Sequence, residues 1–190
     1  NMPFNGSVCS EEGDEYPVKN NIIDLLGEEP EFTTLANYSN HWKLTASLYE
    51  DIWRKRSLSM LSGEDFPIEK EHELLIEWTA PKAGGKYLDI GCSTALYARA
   101  LKAARKEANI VALDFSFQML EEARLKAEAD ETDLVFLRAD GRDLPFFSKT
   151  FDGLVMGGTL NELSEELKVL YEARRVIKQD GTFFMMHLIK

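Results

Sequence analysis

The chain has 190 residues, 44% of them apolar and 11% aromatic, which suits about one domain with a sizeable core and excludes a disordered chain or a disulfide-stapled miniprotein. Its 33 acidic residues against 22 basic ones give a net charge of −11, with no basic stripe to grip a phosphate backbone, so no nucleic-acid partner is expected. No apolar run approaches the length of a membrane span and no signal peptide opens the chain. Cys9 and Cys92 read as free thiols, so the expected location is cytoplasmic, and two cysteines are too few for a zinc thiolate set, so no metal is expected.

Residues 1–40 form an acidic extension, expected to be partly irregular: eight acidic residues face Lys19 as the single basic one, and only Tyr16-Pro17-Val18 and Ile22 to Gly27 look ordered. Residues 41–80 read as a helical segment on the substrate side. Leu44, Leu48, Ile52 and Leu61 lie near one helical face over 41–61, with Trp42, Tyr49 and Trp53 widening it. Gly63 ends that run. Pro67 is placed to start the next helix, with Leu74, Leu75 and Trp78 on its buried side.

From residue 81 to 190 the pattern changes. Short apolar runs at 87–90, 110–113, 134–137, 154–156 and 182–186 alternate with helical stretches at about 94–106, 117–129 and 164–178. Near-continuous apolar strands are those of a parallel sheet covered on both faces, and the alternation implies right-handed crossovers. The expected fold class is α/β, a doubly wound, mostly parallel sheet.

In such a sheet ligands bind beyond the C-terminal ends of the strands. The first strand ends in Asp89-Ile90-Gly91-Cys92-Ser93-Thr94-Ala95, where Gly91 permits a sharp turn and the next helix presents its positive end. Asp89 is a candidate acceptor for an ammonium. The second strand ends in Asp114, placed for both hydroxyls of a ribose, while Ser116 suits the cap of the following helix. Phe115 and Met119 either bracket a flat base or belong to the helix flank. Asp140 and Gly141 follow the third strand, and Asp140 either accepts an exocyclic amine or caps a turn. Gly157 and Gly158 end the fourth strand and leave room beside a ligand, with Asn161 and Glu162 following as substrate-side groups or plain surface. Amino-acid, ribose and base contacts at three successive strand tips fit S-adenosylmethionine.

The segments LDIGCSTALYARAL, VALDFSFQMLEEAR, RADGRDLPF, FDGLVMGGTLNEL and EARRVIKQDGTFFMMH, in that order, resemble the class I S-adenosylmethionine-dependent methyltransferases, most closely the type 11 group with the ubiquinone and menaquinone C-methyltransferases. The resemblance implies a Rossmann-like methyltransferase core with an N-terminal helical lid. It implies the cofactor's methionine end on the Asp89–Ala95 loop, the ribose on Asp114, adenine beside Phe115 and Met119, and its amine on Asp140. Where the family loop reads Asp-x-Gly-x-Gly-x-Gly, this chain has Ser93 and Ala95 at the second and third glycines. Ala95 is tolerated if its φ is helical, whereas Ser93 is strained if its φ is positive. The family's Pro-Gly-Gly before the fifth strand is Gln179-Asp180-Gly181, and two further C-terminal strands of the family sheet are expected to be missing from this chain. The stretch YPVKNNIIDLL resembles the end of a small zinc-binding domain that precedes some methyltransferases, although Cys9 is alone there.

The expected function is methyl transfer from S-adenosylmethionine to a small, apolar or aromatic acceptor. The sulfonium is already an activated leaving group, so a base is needed only where the acceptor must lose a proton. His187, just past the fifth strand, is the best placed of the candidates, ahead of His41, Glu162 and Tyr49. Tyr49, Trp53 and Asn161 are the candidate acceptor-side residues. The absence of an Asn/Asp-Pro-Pro-aromatic clamp after the fourth strand argues against DNA adenine and protein glutamine. A non-catalytic S-adenosylmethionine-binding module is the alternative. A dinucleotide-dependent oxidoreductase is weaker still, because the loop has one glycine where that fingerprint needs three.

Overall fold

The computed structural model describes residues 3–27, 63, 65–162 and 165–187, without the side chains of Asn161 and Glu162. The expected helix at 41–61, with His41, Trp42, Tyr49 and Trp53, lies outside the described residues. Three strands open the chain: β1 (Gly6–Cys9), β2 (Glu15–Lys19) and β3 (Ile22–Asp24). After α1 (Ile68–Thr79) come β4 (Lys86–Ile90), α2 (Leu96–Ala104), β5 (Asn109–Asp114), α3 (Phe117–Ala129) and β6 (Val135–Arg138). Then follow β7 (Phe151–Gly157), a 3-10 turn (Thr159–Glu162), α4 (Glu166–Val176) and β8 (Ile177–Met186).

All eight strands form one sheet in the order β1-β2-β3-β6-β5-β4-β7-β8. Every pairing from β3 to β8 is parallel, and β1, β2 and β3 pair antiparallel. The core is the doubly wound sheet that the apolar runs predict. Its strand order reverses at β4, whose neighbours are β5 on one side and β7 on the other, and this reversal creates the crevice where such sheets bind ligands. The N-terminal segment is more ordered than its composition implies. β3 adds to the sheet beside β6, which would otherwise be an open edge.

Alternation along the strands sends side chains to two cores. On one face Tyr87, Ile110, Ala112 and Phe136 meet Leu75 of α1, Tyr97 and Leu101 of α2 and Leu120 and Ala123 of α3. On the other, Leu88, Ile90, Leu113, Leu154 and Met156 meet Val169, Ala173 and Val176 of α4. Burying each of these larger apolar side chains contributes about 1.5–3 kcal/mol.

Two local expectations are corrected. In α1 the fully buried positions are Glu71, Leu75 and Thr79, one stripe at four-residue spacing, whereas Trp78 is 66% exposed. The stripe turns toward His72 and Ile76, which leaves Trp78 at its margin with a ring too large to tuck beneath. In β8 the strand leaves α4 without a loop. Phe151 pairs with Ile177 and Gly153 with Thr182, so Lys178–Gly181 bulge out where a separate turn is expected.

Candidate functional site

The site begins where β4 ends. Gly91 has φ +66, and a Cβ there would stand 2.3 Å from Thr159 Cγ2, so only glycine lets the two loops close. Thr159 locks this approach by donating its hydroxyl to the Gly91 carbonyl at 3.0 Å. The loop then laces itself to the tip of β5: Cys92 N–H donates to the Leu113 carbonyl at 2.9 Å, and Ser93 N–H donates to Asp114 Oδ2 at 2.7 Å.

Ser93 and Ala95 adopt φ 51 and φ 57. Both are therefore left-handed, and the condition for an easy Ala95, a helical φ, is not met. The chain keeps the glycine-type turn without its glycines, at a cost of order 1–3 kcal/mol per strained residue. Ala95 is also the N-cap of α2 and has no oxygen to offer. Asp89 takes over that role: its carboxylate, 2% exposed, accepts the Ala98 N–H at 3.0 Å from inside the sheet.

Asp114 stands at the tip of β5. Oδ1 accepts the Ser116 N–H at 2.8 Å while Oδ2 holds Ser93. Burial pushes its pKa above the ordinary aspartate value, more than these backbone N–H groups pull it down. Each carboxylate oxygen offers two acceptor directions, so Asp114 retains capacity for a diol. Ser116 caps α3 as expected, accepting the Met119 N–H at 3.3 Å. Phe115 is half-buried beside it, and its carbonyl accepts the Nε–H of Arg138 at 3.2 Å. Met119 is 1% exposed, with its sulfur accepting the Ser93 hydroxyl at 3.5 Å, so it supports the loop from beneath.

Cys92 is buried, and its thiol is pushed well above the ordinary value by burial first and then by Asp114 and Asp89. It is packing, not a nucleophile. Asp140 follows β6 and is half-buried. Arg142 engages it through Nε at 3.0 Å and Nη2 at 2.7 Å and reaches Glu165 with Nη1 at 3.1 Å. Burial raises the Asp140 pKa, but the Arg142 hydrogen bonds outweigh it and hold the carboxyl below its usual range. An amine reaching Asp140 would have to share it with that guanidinium. Gly141 packs near Ile90 and Val169, so it is a spacer between β4 and α4.

A cleft opens at the C-terminal ends of β4 and β7, lined by Asp89, Gly91, Cys92, Ser93, Thr94, Leu96, Tyr97 and Gly157. Gly158 N–H donates to the Met186 carbonyl at 2.9 Å, which ties β7 to the end of β8, and His187 follows there, exposed at the same end of the sheet. Asn161 falls in the 3-10 turn beyond Thr159, and its side chain lies outside the described residues. Leu96, Tyr97, Thr159 and Arg142 join the site without any sequence signal beyond their neighbours, whereas Thr94 belongs to the loop read from sequence. Tyr97 donates its hydroxyl to Glu71, a fully buried carboxylate of α1. Among the described residues no cluster of three or more metal-binding side chains occurs, and no helix is long and apolar enough to cross a membrane.

S-adenosylmethionine fits these residues. The N-terminus of α2 at the cleft suits a carboxylate, and the half-buried Asp114 at the neighbouring β5 tip suits a ribose, while the space over Gly91 is taken by Thr159.

Residues 88–185, just over half the chain, match the family of methyltransferase domains. An uncharacterized chloroplastic methyltransferase of Arabidopsis thaliana is 26% identical over 189 residues, covering 94% of this chain and 53% of that protein. A demethylmenaquinone methyltransferase of Bacillus subtilis is 39% identical over 102 residues, covering 53% of this chain and 44% of the relative. Among solved structures, an S-adenosylmethionine-dependent methyltransferase from Aquifex aeolicus superposes with a TM-score of 0.52 at 27% identity, covering 63% of this chain and 66% of that one. The chain spans about half the length of the curated relatives it matches.

Proposed function

Because the chain belongs to the class I S-adenosylmethionine-dependent methyltransferases, we propose that it binds this cofactor in the cleft above β4 and β7 and passes the methyl group to a small, apolar or aromatic acceptor. The observation that carries the reading is the pairing of Asp114 with Ser93, which ties an acid at the β5 tip to the loop that follows Gly91. In this pose the Asp89–Ala95 loop takes the methionine end, Asp114 the ribose, Phe115 one side of the adenine and Asp140 its amine. Met119 keeps the loop in place.

The cofactor supplies an electrophilic methyl group on a good leaving group. This chain's residues bind, orient and exclude water, which is where alignment contributes most. Gly157 and Tyr97 line the cleft. His187 takes a proton where the acceptor must lose one. An apolar aromatic acceptor is supported by the Bacillus subtilis relative named for demethylmenaquinone. The free thiols Cys9 and Cys92 favour a reducing, cytoplasmic compartment.

The positive φ of Ser93 and Ala95 favours a second reading, a module that binds the cofactor without turnover. Calorimetric titration with S-adenosylmethionine, followed by transfer of labelled methyl groups to quinone-type acceptors and to a metabolite extract, separates the two. Micromolar binding with labelled product supports the enzyme, binding without product the module, and no binding sinks both.

A further inference from the structure

The β1–β3 meander and the turn after β5 are joined by one buried guanidinium. Asp24, Arg138 and Asp114 are register partners, a single row across the C-terminal ends of β3, β6 and β5. Arg138 is 3% exposed and Asp24 1%. Nη1 of Arg138 donates to Asp24 Oδ1 at 3.2 Å and to Oδ2 at 3.0 Å, while Nε donates to the Phe115 carbonyl at 3.2 Å. Asp24 is itself held, its Oδ1 accepting the N–H groups of Leu26 and Gly27 at 3.1 Å each, with Lys19 Nζ 3.9 Å from Oδ2. The Leu25 N–H donates to the Arg138 carbonyl at 3.0 Å, so the chain after β3 is stitched to the same residue by its backbone.

We propose that Arg138 is a positioning residue for the adenosine end of the cofactor, and that residues 22–27 act on the site through it. The inference rests on the cofactor reading above. Phe115 lies between Asp114 and Ser116, both of which have their side chains fixed by hydrogen bonds. Its carbonyl is a further handle on that turn, and Arg138 holds it. A buried guanidinium keeps this geometry only while a carboxylate balances it, because an uncompensated buried charge is costly. Asp24 therefore sets where Arg138 sits, Arg138 sets the peptide after Asp114, and that peptide sets both the ribose acid and the ring beside the base. Arginine is required here, since its planar fork serves two acceptors at once where an ammonium is a single point.

The test uses the full chain, with S-adenosylhomocysteine and adenosine as probes, titrated calorimetrically at a temperature where circular dichroism shows every variant folded. Arg138→Lys keeps a cation for Asp24 and removes the separate Nε–H on Phe115. Both probes should weaken by about three- to tenfold, the scale of one lost hydrogen bond, and by the same factor, because the adenosine end is common to both. A purely structural role would lower the thermal midpoint and leave both affinities at wild-type values, which overturns the inference. So does a loss confined to S-adenosylhomocysteine, since that places the effect at the methionine end. Should Arg138→Lys not fold, the neutral pair Asp24→Asn with Arg138→Gln leaves no buried charge and cannot reach Phe115, and the same parallel loss is expected. Wild-type protein that binds neither probe removes the cofactor reading itself, whereas wild-type binding with unchanged variants removes this inference alone.

Discussion

Asp114 carries opposite pH signatures for folding and for binding. Its pKa is raised by burial, so the folded protein holds that proton more readily than the unfolded chain. Its contribution to stability is therefore greatest below the unfolded value and falls as pH rises through the folded one. Binding runs the other way, because the ionised form is the better acceptor of two ribose hydroxyls. Cofactor affinity should decline on acidification from a pH above the usual carboxylate range, and calorimetry on Asp114→Asn should show that dependence gone. Asp114→Ala should weaken S-adenosylmethionine by about 10- to 150-fold, the scale of hydrogen bonds to a charged group. Wild-type affinity in a folded Asp114→Ala protein would contradict the assignment. The two left-handed residues beside it respond differently to glycine. Ser93→Gly releases strain of about 1 kcal/mol and forfeits the hydroxyl on Met119, so the thermal midpoint should rise slightly. Ala95→Gly releases similar strain but gives up a fully buried methyl, which leaves it near neutral. Cofactor affinity should stay within about tenfold in both, and a far larger gain would favour the non-catalytic reading.

At the scale of elements, the Asp24–Arg138 pair joins β3 to β6. Asp24→Ala strands a buried guanidinium and should cost about 3–5 kcal/mol, a fall of roughly 6–20 °C in thermal midpoint by scanning calorimetry. Replacing both, with Asp24→Ala and Arg138→Met, should recover much of that loss, and an additive double mutant would show that the pair is not coupled. Why sequence marks Ile22 to Gly27 as ordered without showing that β3 joins the sheet follows from the same contact. The parallel strands β4 to β7 announce themselves as apolar runs because both faces are covered. β3 is three residues long with a buried acid at its end, and its partner lies 114 residues away, beyond any local pattern. β1 is exposed along its length, so it carries no alternation to read. The strand-tip acids Asp89, Asp114 and Asp140 are legible because topology dictates where ligands bind. Their local partners are not: an alanine gives no sign that it sits left-handed, and nothing marks Arg142 as the residue that engages Asp140.

For the molecule as a whole, the acceptor side is proposed to include residues 41–61, which lie outside the described structure. If Tyr49 and Trp53 enclose the acceptor, Tyr49→Ala and Trp53→Ala should reduce turnover far more than cofactor affinity. Wild-type rates with the true acceptor would assign those rings to packing. The row that joins Asp24, Arg138 and Asp114 has one more consequence, in the timing of assembly. Arg138 is made 114 residues after Asp24, and at about 5–20 residues per second the interval is roughly 6–23 s. Throughout it β3 has no neighbour on the side that β6 will fill, and an unpaired strand is a template for the wrong partner. The eight acidic residues among the first 40 repel other copies of the same nascent segment during that interval. Charge of this kind should keep β1–β3 from pairing with other copies in the time before β6, their neighbour in the sheet, is made.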